Sequence, residues 1–119
     1  MKRHRSEEDY LETILILQKN KGNVKAIDIA NEMSFSKASV SIAMKKLKEK
    51  GLIIINSNLN ILLTDEGRKI AESVLDKHHI ISDFLMSIGV SRQQALEDAC
   101  EIEHIISDET FTCLKNLKK

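Results

Sequence analysis

Cys100, Glu103 and His104 stand in the run Cys-Glu-Ile-Glu-His, at spacings i, i+3 and i+4. In a helix that spacing puts a thiol, a carboxylate and an imidazole on one face. Three donor types converging there suit a divalent transition metal better than they suit a solvated surface. Asp9 and Glu12, at i and i+3 in an earlier helical stretch, add two hard oxygen donors, and His78 adds a second imidazole. Six donors on three helices are enough to close one or two sites. Each residue also has an ordinary role open to it. Cys100 can be a small buried hydrophobe, Glu103 and His104 surface residues, Asp9 a helix-start acid, Glu12 a surface acid and His78 a half-buried histidine. The combination, not any one residue, points to a metal.

The elements that must position these donors can be read from caps and periodicity. Ser6 can cap a first helix, with Glu7, Glu8 and Asp9 in its first turn. Its apolar face is Tyr10, Leu11, Ile14, Leu15 and Leu17, and it should fade at 20–22. Residues 24–33 read as a second helix with Ile27, Ile29, Ala30 and Met33 as its apolar residues. After a break at Ser34 and Phe35, Ser36 caps a third helix ending at Gly51, with Val40, Ala43, Met44 and Leu47 inward. Residues 52–55 and 61–63 read as strands joined by Asn56-Ser57-Asn58. Thr64 caps a long helix from 65 to about 87, broken at Gly89. Ser91 with Gln94 forms a capping box for a fifth helix to about 106. Its core stripe is Ala95, Ala99, Ile102 and Ile106, with Cys100, Glu103 and His104 roughly a quarter turn away. Ser107 starts a sixth helix near 108–117.

Helix, short turn, helix and two-stranded ribbon is the winged helix-turn-helix order, in which the third helix lies in the DNA major groove. Its outward side carries Ser36, Lys37, Ser39, Ser41, Lys45, Lys46 and Lys48. The small hydroxyls can approach base edges or phosphates, and the lysines can follow the sugar–phosphate backbone. No Arg, Asn or Gln lies between Ser36 and Gly51, so bidentate base reading is weak and DNA shape should supply much of the specificity. The wing tip, 56–60, reads as polar and uncharged. The fold expected is mainly α: an N-terminal winged helix-turn-helix with a small two-stranded wing over 1–72, then an α-helical domain over 73–119.

Composition agrees with that class. Hydrophobic content of 42%, charged content of 30% and only 3% aromatics, with no proline, describe a soluble protein of helices packed by aliphatic side chains. No apolar run approaches the roughly 20 residues of a membrane span. The basic start is followed by acids, not by an apolar signal core. A cytoplasmic protein with no membrane partner is implied. In that reducing compartment Cys100 and Cys113 are not expected to form a structural disulfide. The net charge is zero but unevenly spread, at +3 over residues 1–75 and −3 over 76–119. That fits a DNA-facing front and a cation-attracting back.

Several short runs occur in a specific order: Glu8-Asp9-Tyr10-Leu11 with Thr13-Ile14, Asp28-Ile29-Ala30, Ser39-Val40-Ser41 and Leu63-Thr64 followed by Gly67. Lys77-His78, Phe84-Leu85 and Cys100-x-x-Glu103-His104 followed by Ser107 continue it. In these the chain resembles the DtxR/MntR family of metal-dependent transcriptional repressors over essentially its whole length. The resemblance implies a homodimer whose winged helices bind a palindromic operator, whose C-terminal helices form the dimer interface, and whose metal sits between the two parts. It places Asp9 at the first-helix ligand position, Asp in the manganese-responsive branch and Met in the iron-responsive one. Glu12 matches a further carboxylate of the manganese branch, and His78 the histidine of the long helix. Cys100 matches a ligand that is Cys in the iron branch and Glu in the manganese branch, and Glu103 and His104 match ligands of both.

The implied donor set is a hybrid. Asp9 and Glu12 suit Mn(II) or Fe(II), whereas Cys100 shifts preference toward Fe(II), Co(II), Zn(II) or Cd(II) and makes the site sensitive to oxidation if exposed. Ser82 and Leu96 stand where the iron branch has an acid and a histidine of an ancillary site. The chain resembles the short, two-domain form without the SH3-like domain. The function implied is a repressor that binds operator DNA when loaded with Mn(II) or Fe(II) and controls metal-uptake genes, with Zn(II), Co(II) or Cd(II) able to bind in vitro. The alternative is a metal-independent winged-helix regulator whose C-terminal helices only dimerise. A metalloenzyme lacks support, since no general-base motif such as H-E-x-x-H occurs. A small metal buffer with an incidental helix-turn-helix would show no salt-dependent DNA affinity.

Overall fold

The computed structural model describes residues 5–117; the basic start at 1–4 lies outside them. Along the chain run α1 (Arg5–Lys21), α2 (Ala26–Met33), α3 (Lys37–Glu49), β1 (Ile53–Ile55), β2 (Ile61–Leu63), α4 (Asp65–Ser87), α5 (Arg92–Ile102) and α6 (Asp108–Leu117). The mainly helical class with a small two-stranded wing is therefore the one expected. The fold divides into two compact units between Glu72 and Ser73. Among the described residues no helix is long and apolar enough to cross a membrane.

In the first unit α1 packs on α2 and on β2, α2 on α3, and α3 on β1. The core is Leu11, Ile14 and Leu15 of α1, Ile29 and Ala30 of α2, and Val40, Met44 and Leu47 of α3, closed by Leu52, Ile53 and Ile61. These positions recur at the i, i+3, i+4 spacing that lines one helix face. The second helix starts later than its apolar pattern suggested. Val24 is buried, and its carbonyl accepts the Ile61 N–H at 2.7 Å, so it serves the hairpin as an extended residue. The Asp28 carboxylate then accepts the Lys25 N–H at 2.8 Å and opens α2. Ile27, expected among the apolar residues, is exposed.

Ser34, at φ 58°, reverses the chain after α2, and the Phe35 N–H bonds to the Ala30 carbonyl at 3.0 Å. Ser36 caps α3 by accepting the Ser39 N–H at 3.1 Å. Gly51, at φ 76°, ends the descent from α3 in the left-handed region that favours glycine. The hairpin is antiparallel with Ile53 opposite Leu63 and Ile55 opposite Ile61. Its turn is held by the Asn56 side-chain oxygen, which accepts the N–H groups of Asn58 and Asn60 at 2.9 Å. Thr64 joins the wing to α4: its hydroxyl donates to the Gly51 carbonyl at 2.7 Å and accepts the Gly67 N–H at 3.1 Å. Gly67 sits so close to the hairpin that an added Cβ would lie 2.0 Å from the Leu52 carbonyl oxygen.

In the second unit Val74 and Ile81 of α4 and Ala95 and Ala99 of α5 are buried. Ser91 caps α5 by accepting the Gln94 N–H at 3.3 Å, but the Gln94 side chain bonds forward to Asp98, so only half of the expected capping box forms. The helix ends at Ile102, not near 106. The His104 and Ile105 N–H groups bond three residues back, to the Glu101 and Ile102 carbonyls at 3.3 and 3.0 Å, tightening the chain into turns. Ile102 and Ile106, expected in the core, are only half-buried. No residue of α6 is fully buried, and its Phe111 ring lies 5.9 Å from both the Lys77 and Lys115 ammonium groups.

Candidate metal centre and nucleic-acid interface

The end of α5 and the middle of α4 bring four of the six expected metal donors together. Glu103, the C-cap residue of α5, is buried at 2% exposure although it carries a carboxylate. One of its oxygens lies 2.9 Å from His78 Nδ1, and the other 3.3 Å from His104 Nε2. The Cys100 sulfur lies 3.9 Å from the same His78 nitrogen. A carboxylate removed from water is expensive unless charge or hydrogen bonds offset it. Here two imidazoles flank it.

Burial pushes the His78 pKa below its ordinary value, and the neighbouring His79 adds to that shift. That direction favours the neutral imidazole of His78, whose Nδ1 is hydrogen-bonded to the Glu103 carboxylate. Metal ligation requires neutral imidazoles and ionised carboxylates, so this shift is in the direction that favours the ligating form of His78. Carboxylate, thiol and two imidazoles form a donor set that fits a divalent transition ion. Cys100 and Cys113 are both exposed, and neither is in a disulfide.

Asp9 and Glu12 lie about one turn apart on α1 in the first unit, and both are half-buried. Ser82, where an acid would serve an ancillary site, is instead buried, with its hydroxyl donating to the His79 carbonyl at 3.2 Å. Leu96 is half-buried.

On α3 and its cap, Ser36, Lys37, Ser39, Ser41, Lys45, Lys46 and Lys48 are all exposed. Ser36 is occupied as a cap, and its hydroxyl also donates to the Ser39 hydroxyl at 3.0 Å, so it is a poorer base-reading group than its neighbours. Sequence reasoning passed over two exposed apolar residues. Ile42 lies on the outward side of α3 at 60% exposure. Leu59 projects from the wing turn at 69% exposure with φ 64°, so the wing tip is not wholly polar. Lys25 braces that turn by donating to the Asn58 carbonyl at 2.6 Å. The flanking asparagines masked Leu59, whereas Ile42 was detectable as an apolar residue half a turn away from the inward stripe of its own helix.

Comparison with known proteins gives a consistent pattern. Residues 4–59 match the N-terminal DNA-binding domain of iron-dependent repressors, and residues 64–119 match their metal-binding and dimerisation domain. The chain is similar to an uncharacterized HTH-type transcriptional regulator of Methanocaldococcus jannaschii, with 36% identity over 112 residues, covering 92% of this chain and 90% of the relative. It is 34% identical over 114 residues to the transcriptional regulator MntR of Escherichia coli O6:H1, covering 94% of this chain and 74% of that protein. Among solved structures it resembles the manganese regulator SloR, with a TM-score of 0.82 and 32% identity over 93% of this chain. The chain spans about half of SloR, at 52% of its length.

Proposed function

Because the chain belongs to the iron-dependent repressor family, the DtxR/MntR group of metal-dependent transcriptional regulators, we propose that it represses metal-uptake genes by binding operator DNA as a homodimer when loaded with Mn(II) or Fe(II). Its relatives are transcriptional regulators, not enzymes. The observation that supports metal control most directly is the buried Glu103 carboxylate flanked by His78 and His104, with the Cys100 thiol beside His78. In this reading the metal donors are Asp9, Glu12, His78, Cys100, Glu103 and His104. Residues 1–72 are the DNA-binding domain, and residues 73–119 dimerise and bind metal.

The bound ion supplies positive charge that offsets the donor carboxylates. Asp9 and Glu12 are hard oxygen donors and favour Mn(II) or Fe(II), while Cys100 extends the range to Zn(II), Co(II) and Cd(II) in vitro. Lys37, Lys45 and Lys46 neutralise phosphates, and Ser36, Ser39 and Ser41 approach the groove floor and backbone. Metal and a palindromic operator favour each other reciprocally, because each stabilises the same conformation of the cytoplasmic dimer.

The test is fluorescence anisotropy on a labelled duplex from the gene's own upstream region, titrated anaerobically with Mn(II), Fe(II), Zn(II) or chelator. The expected result is tight binding only with metal, lost in the Glu103→Ala and His104→Ala variants. Equal binding in chelator would leave a metal-independent winged-helix regulator, and a full metal response in either variant would remove these residues from the switch.

A further inference from the structure

We propose that Ile42, with Ala38 one turn before it, forms an apolar strip that reads the 5-methyl group of thymine in the major groove and makes this protein prefer T over C at a position of its binding sequence. The inference rests on the DNA-binding reading given above and adds a specificity determinant to it. At about 100° per residue, Ile42 lies about 200° around α3 from Val40. It is thus opposite the buried stripe of Val40, Met44 and Leu47, at the centre of the outward face. Ala38, at i−4, is exposed on the same side.

The surroundings of this strip identify its occupant. Ser39 and Ser41 flank it, Lys45 and Lys46 follow it within a turn, and all four are exposed. Lys37 and Lys48 add to the charge, against Glu49 as the one acid of the helix. An apolar knob ringed by cations matches a polyanion that carries a small apolar group on its recognised edge. The major groove presents that combination where thymine places its C5 methyl between two phosphate backbones. Ile42 is β-branched, so its χ1 is fixed in a helix and little rotamer freedom is lost on contact. It has no group to satisfy the cytosine amino donor or the purine acceptors, and covering those edges would leave them without a partner. The same helix has no Arg, Asn or Gln for bidentate reading. Methyl recognition is then a major source of direct readout.

The experiment begins with the full chain loaded with Mn(II), used to select binding sites from a randomised duplex library against competitor DNA. Each thymine of the selected site is then replaced singly by deoxyuridine, which deletes only the methyl. The wild type should lose affinity about fourfold at one or more positions, the value of burying one methyl-sized group. Ile42→Ala should bind the thymine and uracil duplexes equally there, and 5-methylcytosine should bind the wild type better than cytosine at that position. Alanine at this exposed site suits a helix and keeps the fold, which a matched melting curve verifies. Wild-type protein that binds the site yet tolerates uracil everywhere would overturn the proposal alone, as would an Ile42→Ala protein that keeps the full uracil penalty. Failure to select any sequence would overturn the DNA-binding reading, and this inference with it.

Discussion

Replacing Glu103 with glutamine should separate metal-linked stability from intrinsic stability, with effects that differ between the two. The side chain is buried, and glutamine keeps its shape and an oxygen that can accept the His78 Nδ1–H now bonded at 2.9 Å. Deleting a charge from a buried position recovers its desolvation cost, so stability in chelator should change by no more than about 1 kcal/mol and can rise. In metal the variant lacks an anionic ligand, and an affinity loss of about 100-fold is expected, at the upper end of what even outer-shell changes cause. At a free metal concentration of about 100 times the wild-type Kd, binding adds about 2.7 kcal/mol to the wild type; the variant retains about 0.4 kcal/mol. For a chain of this length the missing ~2.3 kcal/mol corresponds to roughly 7–11 °C in Tm. Melting curves of both proteins in chelator and in Mn(II) measure this directly. An undiminished metal shift would refute Glu103 as a ligand. A loss above about 3 kcal/mol in chelator would show instead that Glu103 is the buried partner of a protonated imidazole.

Three further outcomes follow from the same geometry. Gly67→Ala should destabilise the fold by about 3 kcal/mol in urea denaturation, because its Cβ would stand 2.0 Å from the backbone oxygen of Leu52, which also accepts the Thr64 N–H. Asp28→Ala should cost about 1 kcal/mol near neutral pH through loss of the bond that opens α2. The Lys21 side chain first, and then the Lys25 N–H, hold the Asp28 carboxyl below its ordinary pKa of 3.8. Its contribution is therefore present above that ordinary value and is lost as pH falls through the lower, folded one, so denaturation curves of wild type and variant should converge in acid. Lys45→Ala and Lys46→Ala should each reduce the slope of log affinity against log salt by about 0.9 in DNA titrations, and an unchanged slope would remove that lysine from the phosphate contacts.

What was legible in the chain was chiefly what is encoded locally. Ser36, Gly51, Thr64 and Gly89 mark element ends by their own backbone and hydrogen-bonding chemistry, and the elements end where they stand. The start of α2 was hidden because the decisive partner is distant: Val24 stays extended to accept an N–H from Ile61. The end of α5 was hidden for a different reason. No glycine or proline interrupts residues 102–106, so helical periodicity reads on past the point where the chain tightens into turns.

That misplaced end bears on the candidate site itself. The run Cys-Glu-Ile-Glu-His draws attention to Glu103 and His104 as neighbours along the chain, and a helix continued to 106 would set adjacent residues about 100° apart on its surface. In the structure α5 ends at Ile102, tighter turns follow, and His104 Nε2 lies 3.3 Å from the Glu103 carboxylate. A better signal lay in the register. Ala95, Ala99 and Glu103 follow one another at intervals of four, and all three are buried, whereas Ile102 and Ile106 are not fully so. A glutamate that continues a stripe of core alanines has no hydrophobic reason to be there, and its desolvation must be offset by cations or hydrogen bonds. Its partner comes from another helix: His78 of α4 places Nδ1 2.9 Å from the Glu103 carboxylate. A charged residue in core register, preceded by small residues and with an imidazole from a second helix within hydrogen-bond reach, is thus a stronger sign of a metal centre than the clustering of donor types along the chain.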